Sequence, residues 1–477
     1  MNKVLYIILS LLLFSLTMIS CSPDDTEKIN EPISKAGDTV GDVVDPVGEG
    51  INDGLDPVGD GINDGLDSVG DVVNDGVGAI TGGSTGGAGG GSESGSDKDV
   101  PIIHTKFVKD LWLDLAFSGC SDVDIKQTDD GGYIMAGCKD DRASLIKTDV
   151  YGEKQWEKTY GLGDYSSANR TVIQTSDGGY LFAGWKGVLK TDSSGKMLWK
   201  KKGAPGNKNQ NPYYEDAIEH SNGNYYLVGG PVLEQAIMVK ISPTGSVTHT
   251  KSYGGSCVDD IFRSVIESND GKLIMVGEKT HGNGAFPCSF YFKYWKDIWV
   301  VKTGKNGVKI WAKEYGGKYL EKGTDIVRRT SSDGYVVLGQ KCSHGGRIFD
   351  CDFKYRAMFL KINEEGDEIK ESVFQNLYHY EWGTPMALAN THSGGYVFVT
   401  EPNSSKNNLW IRKWGSGEKT MELKLRVGDL GGRSIMRTND NGFIISTGGG
   451  EIIKTDSNLS YGSFPCHHSV GKISGCK

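Results

Sequence analysis

Between residues 118 and 456 the chain repeats one pattern of apolar and polar positions seven times. The first half of each copy is a hairpin, two strands joined by a short Gly-bearing turn. The seven turns are Asp129-Asp-Gly-Gly132, Ser176-Asp-Gly-Gly179, Asn222-Gly-Asn224, Asn269-Asp-Gly271, Ser332-Asp-Gly334, Ser393-Gly-Gly395 and Asp440-Asn-Gly442. Asp-Gly and Asn-Gly steps supply the positive φ that closes a tight turn between antiparallel strands. A short apolar run follows each turn, such as Tyr133-Ile-Met-Ala136 or Tyr335-Val-Val-Leu338. A second run ends in lysine: Lys147, Lys190, Lys240, Lys302, Lys361, Lys413 and Lys454. In most copies another Gly-bearing turn then leads to a further strand, often with tryptophan (Trp156, Trp199, Trp311). Four short strands per copy, repeated seven times, predict an all-β, seven-bladed β-propeller with four-stranded blades.

The seventh copy stops after Lys454-Thr-Asp456, one strand short. The missing strand is expected at the other end. Val108-Lys-Asp-Leu-Trp112 aligns with the strand that carries Trp156, and Trp112 falls on Trp156. An N-terminal strand is thus expected to complete the last blade and close the ring, which removes unpaired strand edges. The repeated tryptophans are expected to pack between neighbouring blades. The seven lysines are expected to be solvated strand-end residues rather than a cationic channel lining.

The first 100 residues differ in kind. Lys3 precedes an apolar run, Val4 to Ile19, then Cys21, which reads as a secretory signal over 1–20. Residues 21–100 read as an acidic Gly/Asp-rich tether. The formal net charge is −9, and residues 22–100 carry 18 acidic and 3 basic residues, so the body is mildly basic. That surplus is too small to argue nucleic-acid binding. Within 37–80 an 11-residue repeat sets Val47, Ile51, Leu55, Val58, Ile62, Leu66, Val69, Val73 and Val77 at helical spacing. Its many glycines and two Asp-Pro steps oppose a stable helix. A flexible tether and a stripe that docks on a partner both remain open, and calcium binding by the Asp-Gly steps is the weaker alternative. Residues 82–99 are a Gly/Ser-rich linker.

Beyond Cys21 there are eight cysteines. An even number in an exported chain reads as disulfides. Their order suggests local pairs: Cys120–Cys138, Cys257–Cys288, Cys342–Cys351 and Cys466–Cys476, the last in a short tail of the 101–477 propeller. No Cys-x-x-Cys or zinc-spaced histidine set is present in the sequence, so neither metal nor cofactor is expected.

Four stretches resemble known families. Met18-Ile19-Ser20-Cys21 resembles a bacterial lipobox, which implies lipidation of Cys21. Ser22-Pro23-Asp24-Asp25 resembles the acidic lipoprotein export signal of Bacteroidota, which implies the outer face of the outer membrane. The strings Asp-Gly-Gly-Tyr-x-x-Ala-Gly and Lys-Thr-Asp-x-x-Gly-x-x-x-Trp-x-Lys-x-Tyr-Gly, over about 106–456, look like the repeat of secreted and surface β-propeller proteins of that phylum. Thr191 to Trp199 also resembles the tryptophan-docking repeat of quinoprotein-like propellers. The enzymes of that group use adjacent cysteines and typically eight blades. This chain has no adjacent cysteine pair, so quinone binding is not expected; the group also includes non-enzymatic lipoproteins that assist outer-membrane protein assembly.

In a propeller, the loops joining strands 2 and 3 and those joining blades emerge on one face. All the long insertions fall there, chiefly 280–295 and 342–355, with the inter-blade loop 203–215. The binding-face candidates are Tyr213, Tyr214, His281, Phe286, Phe290, Tyr291, Trp295, His344, Arg347, Phe349, Phe353 and Tyr355. Such aromatics suit a protein interface or stacking on sugars, or they pack on each other to hold the loops. His281 and His344 occupy matched loops with no nucleophile or paired acid fixed beside them by sequence. Asp122, Asp124, Asp350 and Asp352 are too few for calcium and read as scattered surface carboxylates. The expectation is therefore a surface-exposed outer-membrane lipoprotein, lipid-anchored and non-enzymatic. It would bind an outer-membrane protein complex of transport, assembly or secretion. The alternatives are a glycan-binding module and a glycan-cleaving enzyme, the latter requiring carboxylates converging at the central funnel.

Overall fold

The computed structural model describes residues 106–111, 123–139, 142–161, 169–185, 187–202, 213–230, 235–255, 259–282, 294–317, 320–330, 332–342, 355–373, 384–400, 408–414, 421–426, 431–448 and 450–461. These form 28 strands in seven antiparallel sheets of four, with no helix among the described residues. Blade 1 is β2 (Asp124–Gln127), β3 (Tyr133–Lys139), β4 (Arg142–Thr148) and β5 (Lys154–Tyr160). Blade 2 is β6 (Asn169–Gln174), β7 (Tyr180–Gly184), β8 (Gly187–Thr191) and β9 (Met197–Lys202). Blade 3 is β10 (Tyr213–Glu219), β11 (Tyr225–Gly230), β12 (Ala236–Ile241) and β13 (Val247–Tyr253). Blade 4 is β14 (Ile261–Glu267), β15 (Leu273–Gly282), β16 (Tyr294–Thr303) and β17 (Lys309–Tyr315). Blade 5 is β18 (Glu321–Arg328), β19 (Tyr335–Cys342), β20 (Tyr355–Ile362) and β21 (Glu368–Val373). Blade 6 is β22 (Pro385–Asn390), β23 (Tyr396–Thr400), β24 (Asn408–Trp414) and β25 (Met421–Arg426). Blade 7 is β26 (Gly432–Arg437), β27 (Phe443–Thr447), β28 (Glu451–Thr455) and, from the N-terminal side, β1 (Phe107–Asp110). The fold is the expected seven-bladed propeller, and the first strand closes the ring.

The register of that closure differs from the sequence alignment. Lys147 faces Trp156, Lys190 faces Trp199 and Lys302 faces Trp311 across strands 3 and 4. In the closing blade Lys454 faces Phe107, so Phe107 and not Trp112 holds the tryptophan place. Trp112 lies outside the described residues. The packing agrees. Each outer aromatic covers a left-handed glycine of the next blade: Trp156 over Gly195, Trp199 over Gly245, Trp311 over Gly366, and Phe107 over Gly152. A Cβ there would sit 2.6–2.9 Å from the ring, so only glycine fits both the φ and the space. Tyr160 and Tyr253 add a hydroxyl that donates to the carbonyl of the next blade's glycine, at 2.6 Å to Gly195 and 2.8 Å to Gly307.

The lysines are not solvated strand ends, which corrects that expectation. Lys147, Lys190, Lys302, Lys413 and Lys454 are buried, and Lys240 and Lys361 are half-buried. Lys190 Nζ lies 2.8 Å from Asp177 Oδ2 of the opening turn and donates to the Thr191 carbonyl at 2.8 Å. Lys147 makes the same contacts with Asp130 and Thr148, and Lys454 with Asp440 and Thr455. A buried ammonium is tolerated only when paired and hydrogen-bonded. Burial works against the charge of Asp177, yet Lys190, Thr175 and the Gly179 N–H hold its carboxyl below the usual range. Gly179 has an ordinary φ but no room. A Cβ would lie 2.1 Å from the Thr191 carbonyl oxygen and 2.6 Å from Lys190 Nζ. The recurring Asp-Gly-Gly and Lys-Thr-Asp strings are thus two halves of one ion pair. The same Asp of Lys-Thr-Asp caps its own turn, as Asp192 accepts from the Ser194 and Lys196 N–H groups at 2.9 Å.

Cys138 and Cys342 are both half-cystines. Each expected disulfide includes at least one cysteine outside the described residues, and so do Cys21 and the 1–100 segment.

Two outcomes test this account. A chain begun at residue 118 lacks β1 and should melt several degrees below one begun at 101, with a broader transition by circular dichroism. Gly179→Ala should lose about 1–3 kcal/mol in urea denaturation, as expected for forced overpacking against backbone.

Candidate functional site

The innermost strands of all seven blades line one central cavity of about 560 Å³. Six of them, in blades 2 to 7, carry a β-bulge near the start. A bulge inserts one unpaired residue and re-aims its side chain. The inserted residues are Arg170, Glu215, Arg263, Thr324, Met386 and Arg433, and all six line the cavity.

The residue after the bulge ties blades together in all but blade 6, where it is Ala387. Asp124, at the matching place in blade 1, accepts the Val172 N–H of blade 2 at 2.9 Å. Asp216 of blade 3 accepts the Val265 N–H of blade 4 at 2.9 Å, and Asp325 of blade 5 accepts the Leu388 N–H of blade 6 at 2.8 Å. Small hydroxyls fill alternate places. Thr171 donates to Asp216 at 3.3 Å, Ser264 to Asp216 at 3.1 Å, and Ser434 to Asp124 at 2.5 Å. Burial pushes the Asp216 carboxyl up to about 6, with Asp325 adding to the rise and Lys126 opposing it. Carboxylates do converge on the funnel, but Asp124, Asp216 and Asp325 each give an oxygen to a neighbouring backbone. Asp124 is therefore a buried structural residue and not a surface carboxylate, a second correction; Asp122, Asp350 and Asp352 lie outside the described residues. The signal was present in the sequence. Asp124, Thr171, Asp216, Ser264, Asp325 and Ser434 each stand five to seven residues before the Gly-bearing turn of their blade.

At the strand starts, the bulged residues join a chain of ion pairs across three blades. Glu215 lies 2.7 Å from Arg170 and 3.2 Å from Arg263. Arg263 reaches Glu278 at 3.0 Å, and Lys296 reaches Glu278 at 2.8 Å and Asp259 at 3.1 Å. Burial alone would raise the Glu278 carboxyl, but Arg263, Lys296 and Lys322 hold it at about 2. Lys322 lies beside this chain. Burial pushes its ammonium down, Glu278 opposes, and Lys296 and Arg263 add to the fall. Among the described residues, Lys126, Arg170, Arg263, Lys322 and Arg433 line the cavity with Asp124, Glu215, Asp216, Glu278 and Asp325, five charges of each sign.

The antiparallel register sets the end of strand 2 and the start of strand 3 at the same face as these strand starts. In blade 4 those strands are extended to ten residues each. Their tip holds His281 stacked on Trp295, ring centroids 5.4 Å apart and planes within 13°. Nearby, Asp297 lies 3.2 Å from His281 Nε2. Burial raises the Asp297 carboxyl, with His281 opposing and Glu314 adding. In blade 5, Glu321 is 1% exposed, and neither of its oxygens has a hydrogen-bond partner. Burial raises its carboxyl to about 7, with Lys341 opposing and Asp297 adding. In blade 3, Tyr213 is half-buried and stacks on Trp185 at 5.3 Å and 13°. Tyr214 is fully buried between blades 2 and 3 and belongs to the core, not to a binding face.

Of the expected binding-face residues, the structure therefore sets His281, Trp295 and Tyr213 at one face. Tyr355 opens β20, without a described side chain. Phe286, Phe290, Tyr291, His344, Arg347, Phe349 and Phe353 lie outside the described residues.

No protein-family model matches the chain, and no curated protein matches it by sequence. Among solved structures it is similar to virginiamycin B lyase from Staphylococcus aureus, at TM-score 0.49 and 13% identity over 73% of this chain and 98% of that one. It is also similar to a protein of unknown function from Bacteroides caccae, at 0.40 and 15% over 62% and 95%. The WD40 β-propeller domain of Doa1 follows at 0.44 and 11% over 72% and 100%. At these identities the likenesses concern the fold and carry nothing about ligand or reaction.

Glu321 supplies a pH test. Its folded value near 7 stands above the ordinary 4.5, so protonation favours the folded state. That stability is full below about 4.5 and is lost as pH rises through about 7. Glu321→Gln should therefore melt a few degrees above the parent at pH 8 and level with it near pH 4.

Proposed function

We propose that this protein is a lipid-anchored surface lipoprotein whose propeller is a non-enzymatic binding module for an outer-membrane protein complex. One observation carries the reading. The funnel carboxylates Asp124, Asp216 and Asp325, where acids of a hydrolytic site would converge, are each committed to the backbone of the next blade. The same face also carries recognition chemistry: stacked aromatics on an extended hairpin beside a mouth lined by ion pairs. Binding surfaces are commonly built from such loops on a rigid scaffold. The lipobox-like Met18–Cys21, the acidic Ser22–Asp25 string and the long acidic tether support display at the outer membrane. Tethering would keep the module at high effective concentration near its partner.

A second reading rests on the paired flat rings, His281 on Trp295 and Tyr213 on Trp185, which suit sugar stacking. Purification from membranes in mild detergent separates the two. A stoichiometric outer-membrane partner is expected, with Trp295→Ala weakening the association about tenfold, or ~1.4 kcal/mol. A monomer retarded by polysaccharide in an affinity gel would instead establish the glycan module. Unchanged association in Trp295→Ala would remove this hairpin from the interface.

A further inference from the structure

Three strands of blade 4 set one imidazole and two carboxylates on a diagonal. His281 stands opposite Trp295 on β15 and β16, Asp297 follows two residues on, and Glu314 of β17 stands opposite Trp299. Strand alternation places all of them on one face of the sheet. His281 Nε2 lies 3.2 Å from Asp297 Oδ2 and 3.2 Å from Glu314 Oε2. All three groups can offer ligand atoms within 4.8 Å of one another. We propose that His281, Asp297 and Glu314 bind one divalent transition-metal ion of the zinc class.

The two imidazole–carboxylate separations are those of a coordination shell. An ion holding nitrogen and oxygen at about 2.0–2.1 Å in a tetrahedral arrangement separates its ligand atoms by roughly 3.3–3.4 Å. The hydrogen bonding is incomplete without an ion. His281 Nε2 and Asp297 Oδ1 are buried and have no hydrogen-bond partner. One N–H cannot point at two carboxylates, whereas a cation between them meets all three groups. The Trp295 stack fixes the imidazole plane. Oxygen-only shells suit calcium and magnesium, and an imidazole shifts the preference to zinc. Glu314 is 41% exposed, so one side of the ion faces solvent and can take water or an oxygen from a bound partner. The site would also brace the extended hairpin against β17. It stands whether or not the propeller binds a membrane complex.

The test is titration of the chelator-stripped, full-length protein with zinc sulfate, by calorimetry and by competition with a chromogenic zinc chelator. One equivalent should bind, and zinc should raise the melting temperature. His281→Ala and Glu314→Gln should each weaken binding at least tenfold. Glu314 is exposed, so its variant folds and keeps the test decisive. Absence of binding, or equal affinity in both variants, would overturn the site; equal affinity would point to the His467-His468 pair of the tail. Tighter binding of calcium or magnesium than of zinc would overturn the assigned class.

Discussion

A buried lysine paired with a turn aspartate underlies the repeat. In blades 1, 2 and 7 the ammonium of strand 3 reaches the carboxylate of the strand 1–2 turn and the threonine carbonyl beside it. The pair fixes three features at once: a turn that carries Asp, a glycine without a Cβ where the ammonium passes, and a threonine whose carbonyl points inward. Losing one partner would strand a charge in the core, which is costlier than losing an ordinary contact. The pairing varies in the fourth blade, where Lys302 reaches Glu364 of blade 5 at 3.1 Å and Asp270 of its own turn at 3.3 Å. There the ion pair crosses blades and joins the fourth to the fifth.

Ring assembly needs contacts between blades, and the structure has three tiers of them. Outer aromatics lie over glycines of the next blade. Aspartates after the bulges accept backbone N–H groups across the inner boundaries. At the opposite strand ends, side chains reach back to the preceding turn: Glu219 accepts from the Ser176 N–H at 2.6 Å, and Glu267 from the Ser221 N–H at 2.8 Å. Alternating Asp with hydroxyl or alanine cannot close evenly on seven blades, and the break falls where Ala387 of blade 6 is followed by Ser434 of blade 7. At the junction of blades 7 and 1, Ser434 and Asp124 meet directly, and Gln127 accepts from the Asn439 N–H at 2.8 Å.

The bulges link this architecture to function. Each turns one residue into the funnel and the next toward a neighbouring blade. Arg170, Glu215 and Arg263 thereby become a continuous charged rim, while their successors Thr171, Asp216 and Ser264 become structural. The extended blade-4 hairpin stands on the same face, with its imidazole, carboxylates and indole brought together by strand register.

The repeat by itself determined the blade count, the turn positions and the closing strand, because turns and short apolar runs are local signals. It also pointed to the insertions that hold His281 and Trp295. It could not set the burial of the lysines, since a strand-end lysine looks the same whether it meets water or an aspartate thirteen residues away, as Lys190 meets Asp177. It misplaced the closing register by five residues, because Trp112 imitates the motif while the space above Gly152 accepts Phe107. Only the tertiary structure separated Asp124 from surface carboxylates and brought His281 to Asp297 and Glu314. Those groups meet through register across three strands, and pairing distance is not written in the spacing along one.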